Sequence, residues 1–263
     1  MKRFSELLSP TNWIYILVHF SLLLLGFLLV GHQDPTAKAI GSSLVAAGIA
    51  GWVILVYVLQ AQKISDRIRI VMSFGFLSAF EGRSVRIKNE YDARLASVSH
   101  QIDLIGFGLK TLREDYGREF ANWKARAPVR VLVIDPDYPN TQAAYADQRD
   151  VEEHDRVGSI RDDVEAFLQE VEPHIIQGSG HPFEVRLYRC LPSVNLFRVD
   201  SELFWGPYLI HQQSRNSPTF IVQEGPLFKM LMDHFNSIWS SDTLSCSVEE
   251  YRRKHPRNDN GRG

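Results

Sequence analysis

WIYILVHFSLLLLGFLLV, residues Trp13–Val30, is an 18-residue run without a formal charge, and its reading decides the architecture of the chain. At 1.5 Å per residue a helix of this length extends about 27 Å, close to the hydrocarbon thickness of a bilayer. A second uncharged run, AIGSSLVAAGIAGWVILVYVLQ (Ala39–Gln60), follows a short polar loop that contains Pro35. Two such runs with so short a connection predict a transmembrane helical hairpin over residues 1–60, with spans of about 13–30 and 39–60. A cleavable signal peptide is the competing reading of the first run. Against it, the run is longer than the apolar core of a signal peptide, no A-x-A site follows promptly, and a second span comes directly after. Lys2 and Arg3 precede the first span, Lys38 stands alone in the loop, and Lys63, Arg67 and Arg69 follow the second. The positive-inside rule then places both termini in the cytoplasm.

The second span carries Ser43, Ala47 and Gly51 at intervals of four, a stripe small enough for another backbone to approach closely. The stripe suits association between copies of the chain, and it equally suits packing against the first span of the same chain. His19 sits inside the first span, where an ionisable group is costly unless it faces protein or water. The expectation is an imidazole hydrogen-bonded to the neighbouring helix.

The whole chain has 263 residues, 29 basic against 31 acidic side chains and a net charge of -2, so no overall charge points to nucleic acid or anionic lipid. Cys190 and Cys246 fit neither a C-x-x-C nor a zinc spacing and form no disulfide framework. Beyond Gln60 the apolar positions Ile64, Ile68, Val71 and Met72 share a helical face, which predicts an amphipathic helical connector over residues 61–96.

From residue 97 strand and helix signals alternate. Ile102–Gly108 reads as a strand, Leu109–Ala125 as a helix, and Val129–Ile134 as a β-branched strand stopped by Asp135-Pro136. A helix over Ser159–Ile176, strands at Phe183–Tyr188, Val194–Phe197, Leu203–Leu209 and Thr219–Val222, and a helix opened by Pro226 and running to about Trp239 complete an α/β domain over residues 97–246. Residues 247–263, with Arg252-Arg-Lys-His-Pro-Arg257, read as a flexible basic tail.

The order of these elements, together with Ser193-Val-Asn195 and Asp200, resembles one half of a phospholipase D superfamily domain, an α/β sandwich. That family's motif is H-x-K-x4-D, and here it reads S-x-N-x4-D, with Gly206 at about the place of the family's glycine. The resemblance implies a phosphate pocket near Ser193, Asn195, Arg198 and Asp200, but one without its histidine nucleophile and its lysine. A serine without a neighbouring base is a poor nucleophile, and asparagine cannot offset charge on a phosphoryl group. Loss of a nucleophile costs on the order of a million-fold in rate, so no catalytic residue is expected, and with neither a metal-ligand spacing nor a nucleotide-binding motif in the sequence no metal or cofactor is expected. The pocket is left as a possible nucleotide or nucleic-acid site, or as a plain hairpin whose turn Asp200 makes. His211 or His181 are the imidazoles that could stand in for the missing base, and Arg198 the cation.

His154, beside Glu152, Glu153 and Asp155, looks rich in metal ligands, although consecutive residues on a polar stretch do not converge on one ion. Trp205 and Tyr208 flank Gly206-Pro207 and could stack on a base or serve the core. A two-helix hairpin followed by an α/β domain that has lost its chemistry is similar to the two-transmembrane effectors of bacterial retron anti-phage systems. That resemblance implies an inner-membrane, homo-oligomeric effector that permeabilises the membrane on infection and causes abortive infection. It also implies a partner complex of reverse transcriptase, noncoding RNA and multicopy single-stranded DNA. A membrane-anchored phosphodiesterase or nuclease and a nucleotide-gated membrane receptor are the alternatives.

Overall fold

The computed structural model describes residues 10–82, 85–176, 180–213 and 216–256. The chain divides into two compact units at Ile70/Val71. In the first, helices α1 (Pro10–Val30) and α2 (Pro35–Ser73) form a hairpin, and each contains a stretch long and apolar enough to cross a membrane. The start of α2 is set locally. Asp34 Oδ1 accepts the N–H of Thr36 at 3.1 Å, and Pro35 takes the first helical position, where an amide hydrogen has no partner to lose.

The two helices meet through glycines. Gly41, Gly48, Gly51 and Leu55 are the buried residues of α2 and share one face. A Cβ on Gly41 would lie 2.7 Å from the Val30 nitrogen, one on Gly48 2.6 Å from Leu23 Cγ, and one on Gly51 1.6 Å from His19 Cδ2. This seam corrects the expectation of a single Ser43, Ala47, Gly51 face. Ser43 and Ala47 are exposed, whereas Gly51 lies against α1 of the same chain. The cause is helical phase, since steps of four residues advance about 40° each at 3.6 residues per turn. His19 also departs from expectation. Its Nδ1 is 2.9 Å from the Tyr15 carbonyl on its own helix, its ring stacks on Tyr15, and the Tyr15 hydroxyl donates across the seam to the Gly51 carbonyl at 3.3 Å.

The second unit is built on a mixed eight-stranded sheet. Its elements are β1 (Phe76–Phe80), α3 (Val85–Ser97), β2 (Ile102–Gly106), α4 (Lys110–Tyr116), a 3-10 turn (Gly117–Glu119), α5 (Phe120–Arg126), β3 (Val129–Ile134) and α6 (Tyr145–Glu152). There follow α7 (Ser159–Ile176), β4 (Phe183–Tyr188), β5 (Val194–Val199), β6 (Glu202–Pro207), β7 (Thr219–Gln223), α8 (Pro226–Trp239), β8 (Ser245–Ser247) and α9 (Val248–Lys254). The strand order is β1-β7-β6-β5-β2-β3-β4-β8. The centre, β2, β3 and β4, is parallel, and every other neighbour is antiparallel. Val131, Leu132, Val133 and Ile134 are all fully buried, as a strand covered on both faces requires. Phe197 and Phe204 meet Tyr91 of α3 on one face, and Arg130 meets Phe235 and Trp239 of α8 on the other.

Three expectations change here. The connector is helical to Ser73 and again over α3 (Val85–Ser97), but between them Phe76–Phe80 joins the sheet as β1, paired with β7. Phe76 and Phe80 are half-buried and the three residues between them exposed, so the sheet domain begins well before residue 97. The helix expected over Leu109–Ala125 is broken at Gly117, where a Cβ would come within 3.2 Å of Glu170. The C-terminal segment is structured through residue 254. Ser245–Ser247 pairs with β4, Ser247 caps α9 by accepting the Glu250 amide at 3.2 Å, and Tyr251 is buried. The polar residues that suggested a loose tail are engaged: Glu250 accepts from Arg189 at 3.1 Å, and Glu165 accepts from Arg252 at 2.6 Å. Residues 257–263 of that expected tail lie outside the described residues.

Candidate functional site

In open α/β sheets, ligands bind outside the carboxyl ends of the parallel strands, beside the point where connectivity reverses. Here β2 is that strand, with parallel β3 on one side and antiparallel β5 on the other. A cavity of about 410 Å³ opens at its carboxyl end. The chain leaves β2 through Gly106-Phe-Gly-Leu109, and a Cβ on Gly106 would lie 2.6 Å from Leu109 Cδ2, so a larger residue there would have to displace the end of that side chain. Leu109 itself holds the left-handed conformation, with φ 52°.

The floor of the cavity is aromatic and the rim is acidic. Phe107 and Tyr208 meet edge to face with ring centroids 4.7 Å apart. Asp150, Glu153, Asp155 and Asp163 line the cavity together with a lysine, Lys110. Asp150 is almost fully buried and accepts the amides of Gly158 at 2.7 Å and Ile160 at 3.0 Å. Burial pushes the Asp150 carboxyl above the ordinary range, and those two amides offset only part of the effect. Asp163 is raised for the same reason, against the opposing charges of Lys110 and Arg113. Burial also lifts the Tyr208 phenol, opposed in part by the nearby Arg149.

Arg149 is the organising residue that the sequence reading missed. It is 3% exposed, and its guanidinium lies over the rings of Phe107 and Tyr208. It donates to Glu153 at 2.8 Å, to the Leu209 carbonyl at 2.9 Å and to the Gln212 carbonyl at 2.8 Å, tying α6 to the loop after β6. The signal was present as Arg149, Glu152 and Glu153, at helical spacings of three and four. Those contacts also explain why Glu152 and Glu153 do not gather with His154 around an ion. His154 instead stacks on His211 at 5.6 Å, and both imidazoles are exposed.

The S-x-N-x4-D residues do not form one pocket. Asn195 lines the cavity, paired across to Gly206, and the Ser193 carbonyl accepts the Tyr208 amide at 3.3 Å. Asp200 lies at the other end of β5, about 17 Å away for five extended residues, with Arg198 two residues before it. There Arg198 donates to Asp103 at 3.0 Å and to the Asp200 carbonyl at 2.6 Å. Asp200 makes the β5–β6 turn with φ 54° and accepts the amides of Ser99 at 3.1 Å, His100 at 2.8 Å and Gln101 at 3.0 Å. Neither His181 nor His211 lines the cavity; His181 lines a separate one of about 490 Å³ at the amino end of β4. Trp205 packs on Phe220 at 5.0 Å. Among the described residues no three His, Cys, Asp or Glu side chains converge on a metal position.

Burial alone would raise the Asp200 carboxyl, but the amides of Gln101, His100 and Ser99 outweigh it and hold the group below the ordinary range. Its stabilising contribution is therefore complete above the unfolded value near 4 and is lost as pH falls through the lower folded value. Asp200→Asn keeps the left-handed turn and loses the charge. It is expected to cost about 1 kcal/mol at neutral pH, by analogy with a lost cap, with the difference from wild type shrinking below about pH 4 in denaturant titrations.

No family model matches the chain, and no curated protein matches it. Among solved structures it is similar to TrmBL2, an archaeal chromatin protein with a novel mode of DNA binding, at 13% identity and TM-score 0.42 over 76% of this chain and 69% of that one. It is also similar to phosphatidylserine synthase of Haemophilus influenzae Rd KW20, at 13% identity and TM-score 0.43 over 66% of this chain and 40% of that one. The chain thus spans less than half the length of the synthase.

Proposed function

We propose that the chain is a membrane-anchored effector whose sheet domain acts by binding and restraint, without phosphoryl transfer. The observation that carries this is the Ser193–Asn195 end of β5. A hydroxyl and a carboxamide stand where phospholipase D chemistry needs an imidazole and a cation, and the adjoining cavity is rimmed by Asp150, Glu153, Asp155 and Asp163. A phosphodiester brought there would meet like charge with a lone lysine to oppose it, which also disfavours a nucleotide ligand. The hairpin supports the membrane part of the reading, because large apolar side chains such as Leu17, Phe20, Phe27, Ile49 and Val53 are exposed around both helices.

One hairpin cannot enclose water, so a conducting state requires several copies. In its specific form the proposal is an anti-phage effector of retron type in the bacterial inner membrane, with both termini cytoplasmic. It is held quiet with a reverse transcriptase, its noncoding RNA and multicopy single-stranded DNA, and a trigger releases it through differential affinity for the two states. Cells carrying the full system are expected to admit a membrane-impermeant dye on phage infection, while the purified full chain turns over no phosphodiester. Turnover that disappears in Ser193→Ala and persists in Asp200→Asn would replace this reading with the membrane-anchored phosphodiesterase. Saturable nucleotide binding without turnover would replace it with a nucleotide-gated receptor.

A further inference from the structure

The two edges of the sheet are treated differently. At one end β8 has three residues and runs directly into α9, which leaves little edge to pair with. At the other end β1 presents five residues, Phe76-Leu-Ser-Ala-Phe80, and no strand lies on its outer side among the described residues. Natural sheets guard such edges with lysine, other charges, proline or a bulge. Here the strand has no charge and no proline, and the single guarding feature is the register shift between Phe76 and Ser78. Leu77, Ser78 and Ala79 are exposed, Leu77 to 41%, and Phe74 just before the strand is 49% exposed. Outward N–H and C=O groups of an extended strand are matched by another extended strand, which limits the occupant to β structure.

We infer that β1 is a dimerisation edge, pairing antiparallel with β1 of a second copy to join two sheets into one. This rests on the assembly reading above and names the surface that makes the first contact. A two-fold axis through Ser78 sets Ser78 opposite Ser78, Leu77 opposite Ala79 and Phe76 opposite Phe80 of the second copy. The nearest charged neighbour, Glu81, then faces Gly75, so no like charges meet across the junction. An uncharged segment that opposes itself in this way is suited to its own copy, whereas a charged partner strand would find nothing to complement. Only Phe74 and Gly75 separate the end of α2 from this strand, so pairing at β1 couples directly to the helix that carries the second apolar run.

The test uses the full chain in native membranes, with Cys190 and Cys246 replaced by alanine. Opposed residues across an antiparallel pair hold their Cα atoms roughly 4.5–5.5 Å apart, within disulfide reach. Ser78→Cys is expected to form a disulfide-linked dimer at least tenfold faster than the exposed control Ser237→Cys, and adding Leu77→Lys is expected to remove that advantage. Equal rates at residues 78 and 237, or linkage of residue 78 to a different protein, would overturn the inference. Dye entry without Ser78 linkage would sink this interface and leave the effector reading standing. Linkage without dye entry would do the reverse.

Discussion

Asp103→Ala is expected to destabilise the sheet domain by about 3–5 kcal/mol, more than any other single substitution proposed for this chain. The Asp103 carboxylate is fully buried and accepts from Arg130 Nε at 2.7 Å, Arg198 Nη1 at 3.0 Å and Gln101 Nε2 at 2.8 Å. Register explains the geometry, because Asp103 on β2 lies abreast of Arg130 on β3 and of Arg198 on β5. Both guanidiniums sit beneath α8, Arg130 over Phe235 and Trp239 and Arg198 over Phe228. Removing the carboxylate leaves two positive charges half-buried side by side without the counter-charge they share. Denaturant unfolding of the full chain in detergent, followed by tryptophan fluorescence, measures the loss. Replacing all three partners together, Asp103→Leu with Arg130→Met and Arg198→Met, is expected to recover most of it, since the charges and their counter-charge leave together.

The second large effect belongs to the hairpin. Gly51→Leu places a branched side chain where even a Cβ would lie 1.6 Å from the His19 ring, so that ring must leave the seam or the two helices must separate. Overpacking of this kind costs roughly 1–3 kcal/mol in cores, and the rigid ring on the opposing helix puts it at the upper end. Ala47→Leu, on the exposed face, is expected to leave the hairpin intact. Thermal size-exclusion profiles of the two variants in detergent should therefore differ, with only Gly51→Leu losing the monodisperse peak at lower temperature. Growth arrest then separates the faces. If Ala47→Leu abolishes it with the fold preserved, contacts between copies use the outer face of α2; if arrest is unchanged, that face takes no part.

How much of this was legible in the sequence follows from whether a feature is local. Val129–Ile134 and Phe183–Tyr188 are strands with the bounds their β-branched and alternating patterns indicated, and Ser159–Ile176 and Pro226–Trp239 are helices as their apolar stripes and Pro226 indicated. Each of those signals lies within the element itself. β1 and β8 were not legible, because Phe-Leu-Ser-Ala-Phe and Ser-Cys-Ser become strands only when β7 and β4 are present to pair with them. The glycine seam of the hairpin depends on helical phase, which a count of small residues at intervals of four does not capture. The motif Ser193-x-Asn195-x4-Asp200 marked the right strand, but its length along an extended backbone carries Arg198 and Asp200 to the far end, where they brace a turn. The spacing of Arg149, Glu152 and Glu153 marks only the local ion pairs; the role of Arg149 in the site depends on the Leu209 and Gln212 carbonyls, brought to it from about sixty residues away.

The docked C-terminal segment has a practical meaning for the life of the protein. Four of the six β4 residues are buried, and among the described residues β8 is the strand that pairs with its outer edge. A protease nick in the short stretch between Trp239 and Ser245 would loosen that pairing and bare the edge of β4, where Glu184 and Arg186 are the charges that guard it against another strand. β8 and α9 therefore work as a cover for that edge, and an epitope tag is better appended beyond α9 than substituted for it.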